Sequence, residues 1–228
     1  MNQTLHAYQP ATAVAAERNR VLRNTYWLLA LSMVPTVLGA WIGVSTGISR
    51  AMSPGIGLMV FLGGAFAFMF AIEKTKNSAA GVPVLLAFTF FMGLMLSRLI
   101  GAVLGLGNGA SLVMTAFAGT GAVFLGMATL SSVIKRDLSA MGKWLFVGAV
   151  VLLVAGIANF FIQSSALMIT LSVLAIGIFS AFILHDLKRV QDGLETNYIT
   201  ATLGVYLSIY NVFQSLLTLL GFAGARDE

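Results

Sequence analysis

Few side chains in this chain can do chemistry. It has no cysteine and two histidines, His6 and His185. That removes disulfides, thiolate metal sites and a cysteine nucleophile. No His-Glu-x-x-His run exists to hold zinc. A serine–histidine dyad would have to use His185, which stands at the end of an apolar run. Gly105-Leu106-Gly107-Asn108-Gly109 has no strand before it and no lysine, so it reads as a turn and not as a phosphate cradle. These features predict a protein that is not an enzyme and that holds no cofactor or metal.

What remains is polar groups within or beside long apolar runs, where they are costly and therefore informative. Asp186 ends one such run, in Leu184-His185-Asp186-Leu187-Lys188-Arg189. It is either an interfacial carboxylate neutralised by Lys188 and Arg189, or a gate whose pKa desolvation raises toward neutrality. Arg98 lies near the end of another run and either snorkels to the interface or faces a water-filled cavity. Asn159 and Gln163 read as packing and turn residues. The most informative pattern is Asn197, Ala201, Gly204, Ser208, Asn211, Ser215 and Thr218. Their spacing of four and three puts them on one helical face, and every member is small or polar. Such a helix is either buried and hydrogen-bonded to its neighbours or lines a hydrated path.

The elements that position these groups follow from composition. The chain has 228 residues, 58% of them hydrophobic and 9% charged, with a mean hydropathy of +0.93. A soluble domain carries roughly 25% charge, so this is a polytopic helical membrane protein. Its runs are long enough for a bilayer core, which needs about 20 apolar residues. They lie at 26–46, 55–72, 82–104 and 112–134, in two halves of 144–184, and at 199–222. Ser53-Pro54 marks a helix start. Gln163-Ser164-Ser165 divides the long run by a tight turn. No lysine lies inside any span, which excludes a retinal Schiff base. Two core carboxylates, as an intramembrane aspartyl protease needs, are missing, since Asp186 is only at an edge.

Seven spans distribute the cations unevenly. Ten (Arg18, Arg20, Arg23, Lys74, Lys76, Lys135, Arg136, Lys143, Lys188 and Arg189) fall on one side, against Arg50, Arg98 and Arg226 on the other. By the positive-inside rule the N-terminus is expected in the cytoplasm and the C-terminus outside. The net charge of +5 is thereby explained without nucleic acid, for which there is no basic patch. The division expected is a mobile cytoplasmic tail over 1–25, a seven-helix domain over 26–222, and a short tail over 223–228. Glycines four apart at 39, 43 and 47, and at 101, 105 and 109, suit close helix packing within the chain, with dimerisation the lesser alternative.

Three segments carry a resemblance: Val21-Leu22-Arg23-Asn24-Thr25-Tyr26, Lys76-Asn77-Ser78, and above all Glu195-Thr196-Asn197-Tyr198-Ile199 with Val205-Tyr206-Leu207-Ser208-Ile209-Tyr210-Asn211-Val212-Phe213. The chain resembles the Bax inhibitor-1 family in its bacterial branch, over nearly all of its length after residue 20. The resemblance implies an all-α fold of seven transmembrane helices with the seventh at the centre, in a bacterial inner membrane. It also implies a proton-sensitive calcium leak governed by two aspartates. The first position matches Asp186; the second falls on Ser208, which cannot titrate, so no coupled carboxylate pair forms here. Asp192 or Glu195 would have to substitute. For the branch lacking the pair, the resemblance implies a modulator of the membrane-bound ATP-dependent FtsH protease. The lipid bilayer, a protease of that AAA type, and calcium or protons are thus the partners to consider.

Overall fold

The computed structural model describes residues 11–226. Seven long helices account for most of them: α1 (Ala11–Thr46), α2 (Pro54–Thr75), α3 (Gly81–Val103), α4 (Gly109–Val133), α5 (Met141–Ile162), α6 (Ser165–Gln191) and α7 (Tyr198–Gly224). One turn of helix, Ile48–Ala51, links α1 to α2. All seven are long and apolar enough to cross a membrane.

The boundaries arise from local chemistry. Ser53 caps α2, accepting from the Ile56 N–H, with Pro54 in the first turn where its missing N–H costs nothing. At the expected break, Gln163 takes a left-handed conformation with φ 54°. Ser164 then caps α6, accepting from the Leu167 N–H. Asn197 caps α7, its Oδ1 accepting from Ile199 and Thr200 N–H.

The expected tail over 1–25 needs correction. Residues 11–25 are helical and continuous with the first span, while residues 1–10 lie outside those described. Ala11, Ala13, Ala15 and Ala16 are the best helix formers, and Glu17, Arg18 and Arg20 are good ones. Polarity here means a helix leaving the apolar layer, not loss of helix. Its last turns before the membrane are held by packing: Val21 is buried with Val190 of α6 and Ala201 of α7.

Around α7 stand α1, α2, α3, α4 and α6, each in contact with it, while α5 rests on α6 at the periphery. The seventh helix is therefore central. The core is built where it meets α3 and α6, from Leu85, Phe88, Met92, Ile183, Leu187, Val205, Tyr206 and Val212. Ring contacts run from α2 inward: Phe68 to Phe88 at 5.9 Å, Phe88 to Tyr206 at 6.1 Å, and Tyr206 to Tyr210 at 6.3 Å between centroids.

The glycine spacing serves packing within the chain. A Cβ on Gly39 of α1 would lie 2.2 Å from the Phe90 carbonyl oxygen of α3, and one on Gly93 of α3 would lie 2.0 Å from the Thr36 carbonyl oxygen. Gly43 faces Ser97 just as closely. The two backbones touch, as small residues allow in a bilayer. The outer surface is apolar. All three tryptophans, Trp27, Trp41 and Trp144, are exposed near span ends, where amphipathic rings favour the membrane interface.

Candidate functional site

Asp186 sits five residues before the end of α6, at the basic end of the bundle. Its side chain is 19% exposed, and Oδ1 lies 3.1 Å from Nδ1 of His185. Oδ2 rests on the bare backbone of Gly204 in α7, 2.8 Å from where a Cβ would stand. His185 is buried in turn against Gly142 at the start of α5, its Nε2 2.7 Å from that glycine's Cβ position. Two glycines, one on each neighbouring helix, therefore make room for the His185-Asp186 pair.

Lys188 and Arg189, which one of the two readings of Asp186 sets against it, are paired with other carboxylates. Lys188 pairs with Asp192 one turn on, and Arg189 reaches Glu195 at 3.9 Å. Lys188, two residues on from Asp186, leaves on another face and meets Asp192 four residues beyond it; Arg189, three residues on, shares the face of Asp186 but extends to Glu195 instead. Asp192 and Glu195, the possible substitutes for a second carboxylate, are thus engaged with α6 cations.

Ser208, which the resemblance sets opposite the second aspartate, is one turn above Gly204. It is buried, and its hydroxyl donates to the Gly204 carbonyl at 3.0 Å, not to Asp186. Most polar side chains of the stripe likewise close on their own helix. Asn211 Nδ2 donates to the Leu207 carbonyl at 2.8 Å, and Thr218 to that of Gln214 at 2.8 Å. Ser215 is buried. Thr218 also lines a mainly apolar groove of about 250 Å³ with Leu99, Val103 and Leu217. Asn197 differs: its Nδ2 donates to the Lys76 carbonyl at 3.1 Å and to Asn77 Oδ1 at 2.8 Å. It fastens the α2–α3 loop to the start of α7. Elsewhere, Asn159 Oδ1 accepts from the Ser164 N–H at 3.0 Å in the α5–α6 turn. Arg98 is exposed, with one guanidinium nitrogen near Gly57 of α2.

The sequence reading missed two features. Tyr206 is buried, and its hydroxyl meets Thr36 Oγ1 at 2.9 Å and the Thr89 carbonyl at 3.4 Å. This joins α7 to α1 and α3. No spacing in the sequence links position 206 to 36. The role of Gly204 as a seat for Asp186 was also hidden, since a small residue on a stripe does not name what it admits. Among the described residues, no group of three or more His, Cys, Asp or Glu gathers as a metal site would require.

Comparison with known proteins matches residues 18–225 to a family described as inhibitor of apoptosis-promoting Bax1. The chain is 38% identical over 209 residues, 92% of each chain, to a protein of Escherichia coli (strain K12) named modulator of FtsH protease YccA. It is 34% identical to an uncharacterized membrane protein of Vibrio cholerae, over all of both chains. It is 37% identical to an uncharacterized protein of Neisseria meningitidis, over 97% of this chain and 99% of the other.

Proposed function

The chain belongs to the Bax inhibitor-1 family, and we propose that it is a non-catalytic modulator of a membrane-bound, ATP-dependent protease of the FtsH type. The observation that carries this reading is its 38% identity, over 92% of both chains, to a relative named as such a modulator. The relatives are bacterial, and one matched at the same identity is named an inner membrane protein. That supports an inner-membrane location. The ten-to-three division of cations supports the basic end, with the N-terminus, facing the cytoplasm.

The physical account needs no reaction. Seven helices joined by short loops resist extraction, because each buries its backbone bonds in the bilayer and packs on its neighbours. A chain end is where a processive protease starts. This reading assigns engagement to the residues ahead of the first membrane span. The protein would then occupy the protease while yielding slowly to it.

The cation-leak alternative has less support. The family's second aspartate is Ser208 here, and the hydroxyl of that residue is turned to its own helix. Removing residues 2–10 tests the tail-based mechanism. The shortened chain should keep its fold, measured by circular dichroism in detergent, and lose its slowing of the protease. Undiminished slowing by the shortened chain would sink the tail-based version.

A further inference from the structure

Two cations stand at the end of the bundle opposite the Lys- and Arg-rich one. Arg50 is on the one-turn helix after α1, and Arg98 is five residues before the end of α3. Both side chains are exposed. All six acids among the described residues, Glu17, Glu73, Asp137, Asp186, Asp192 and Glu195, lie at the other end. Among the described residues neither arginine enters an ion pair. The positive-inside rule gives no reason for these two cations, since it gathers basic residues at the other end.

Both side chains converge on one turn of α3. Arg50 folds back onto the buried Gly101: a Cβ there would lie 2.7 Å from one guanidinium nitrogen, 3.2 Å from Cζ and 3.3 Å from Nε. The guanidinium thus rests on bare backbone that any side chain would cover. Arg98 is three residues before Gly101, which sets their β positions about 5–6 Å apart on one face. The Arg50 charge is therefore beside the root of Arg98. Arg98 itself reaches toward α2, with a guanidinium nitrogen 3.6 Å from the Cβ position of Gly57 in the first turn of that helix. The positive end of the α2 dipole adds to the same field. Like charges gathered this way repel, and a seated Arg50 also loses side-chain freedom. Water alone gives it no reason to lie against α3. An anion shared by the two groups offsets both costs, and a phosphate suits the guanidinium fork.

The surroundings point to the bilayer as the source of that phosphate. Exposed apolar side chains flank the two arginines: Ile48 on the one-turn helix, and Ile56, Met59 and Val60 on α2. Gly57 and Val60 are three apart, so Val60 continues the face under Arg98 toward the middle of the membrane. Cationic heads above an apolar wall match a phosphate above its acyl chains and not a free ion. We propose that Arg50, seated on Gly101, and Arg98 together bind the phosphate of an anionic phospholipid in the leaflet at this end. The site is separate from α7 and from the His185-Asp186 pair, and it does not depend on the protease reading.

The test measures phosphatidylglycerol retained by the full-length chain in detergent, by native mass spectrometry at rising lipid concentration, with phosphatidylcholine for comparison. Wild type should hold phosphatidylglycerol about tenfold more tightly than phosphatidylcholine, and excess inorganic phosphate should not displace it. Arg50→Gln combined with Arg98→Gln should abolish that preference. Arg226→Gln, which removes the third cation of this end, should keep it. Gly101→Ala keeps every charge and meets only the tip of Arg50. It should weaken the preference severalfold at an unchanged melting temperature. Equal binding of the two lipids by wild type would overturn the site, as would an undiminished preference in the double variant or in Gly101→Ala. Equal loss in Arg226→Gln would overturn it as a general effect of charge. Displacement by inorganic phosphate would overturn the lipid as its occupant.

Discussion

A methyl group added at Gly204 would lie 2.8 Å from Asp186 Oδ2, closer than real contacts allow. Gly204→Ala should therefore cost stability, by about 1–3 kcal/mol for an overfilled site, read by unfolding in detergent. With Asp186→Ala in place the clash is gone, and alanine's better helix propensity should make the same change neutral or stabilising by up to about 1 kcal/mol. Equal costs in both backgrounds would mean that Asp186 does not rest on Gly204. Asp137 offers a pH test in the α4–α5 loop. Its carboxylate accepts from the Ser139 N–H at 2.8 Å. The Ser139 hydrogen bonds, helped by the Lys188 charge, hold its pKa below the ordinary 3.8. A lowered folded-state pKa means the turn is fully held above that ordinary value and is released as pH falls through the depressed one. Protection of the Ser139 amide from exchange should persist from pH 7 to pH 4 and fall only in stronger acid. Of these residues, Asp186 was legible in the sequence because a carboxylate ending an apolar run stands out. Its partners were not, because pairing across helices leaves no mark in spacing.

Between elements, the α1–α3 contact depends on missing side chains. Gly93→Leu would drive a side chain into the Thr36 carbonyl, and Gly39→Leu into that of Phe90. Either should separate the helices and lower the unfolding midpoint markedly, whereas Gly63→Leu, whose Cβ position meets nothing, should not. Equal tolerance at all three would contradict the packing described. Asn197→Ala removes both a cap and the tie to Lys76 and Asn77. Loss of the cap alone costs about 1 kcal/mol, so the measured loss should exceed that. Helix ends were legible wherever a capping residue or proline writes them, as at Ser53-Pro54, Ser164 and Asn197. The start of α1 was not. Hydropathy marks where a helix meets lipid, and α1 continues past that boundary as an alanine-rich helix packed on Val190 and Ala201.

For the whole molecule, the central place of α7 was legible from one stripe of small and polar residues, because lipid would not accept it on an outer helix. Which helix stands beside which was not legible, since Tyr206 could have met any hydroxyl across the bundle and meets Thr36. The architecture presents an apolar wall to lipid and gathers most of its Lys and Arg side chains at one end. Those features suit a protein that acts by contact. The most direct measurement of that account is the rate at which an FtsH-type protease degrades an unrelated membrane substrate in proteoliposomes, with and without an equimolar amount of this chain. The account predicts a severalfold slower rate when the chain is present, with the chain itself consumed more slowly than the substrate. An unchanged rate, with the chain folded and in the same vesicles, would contradict it.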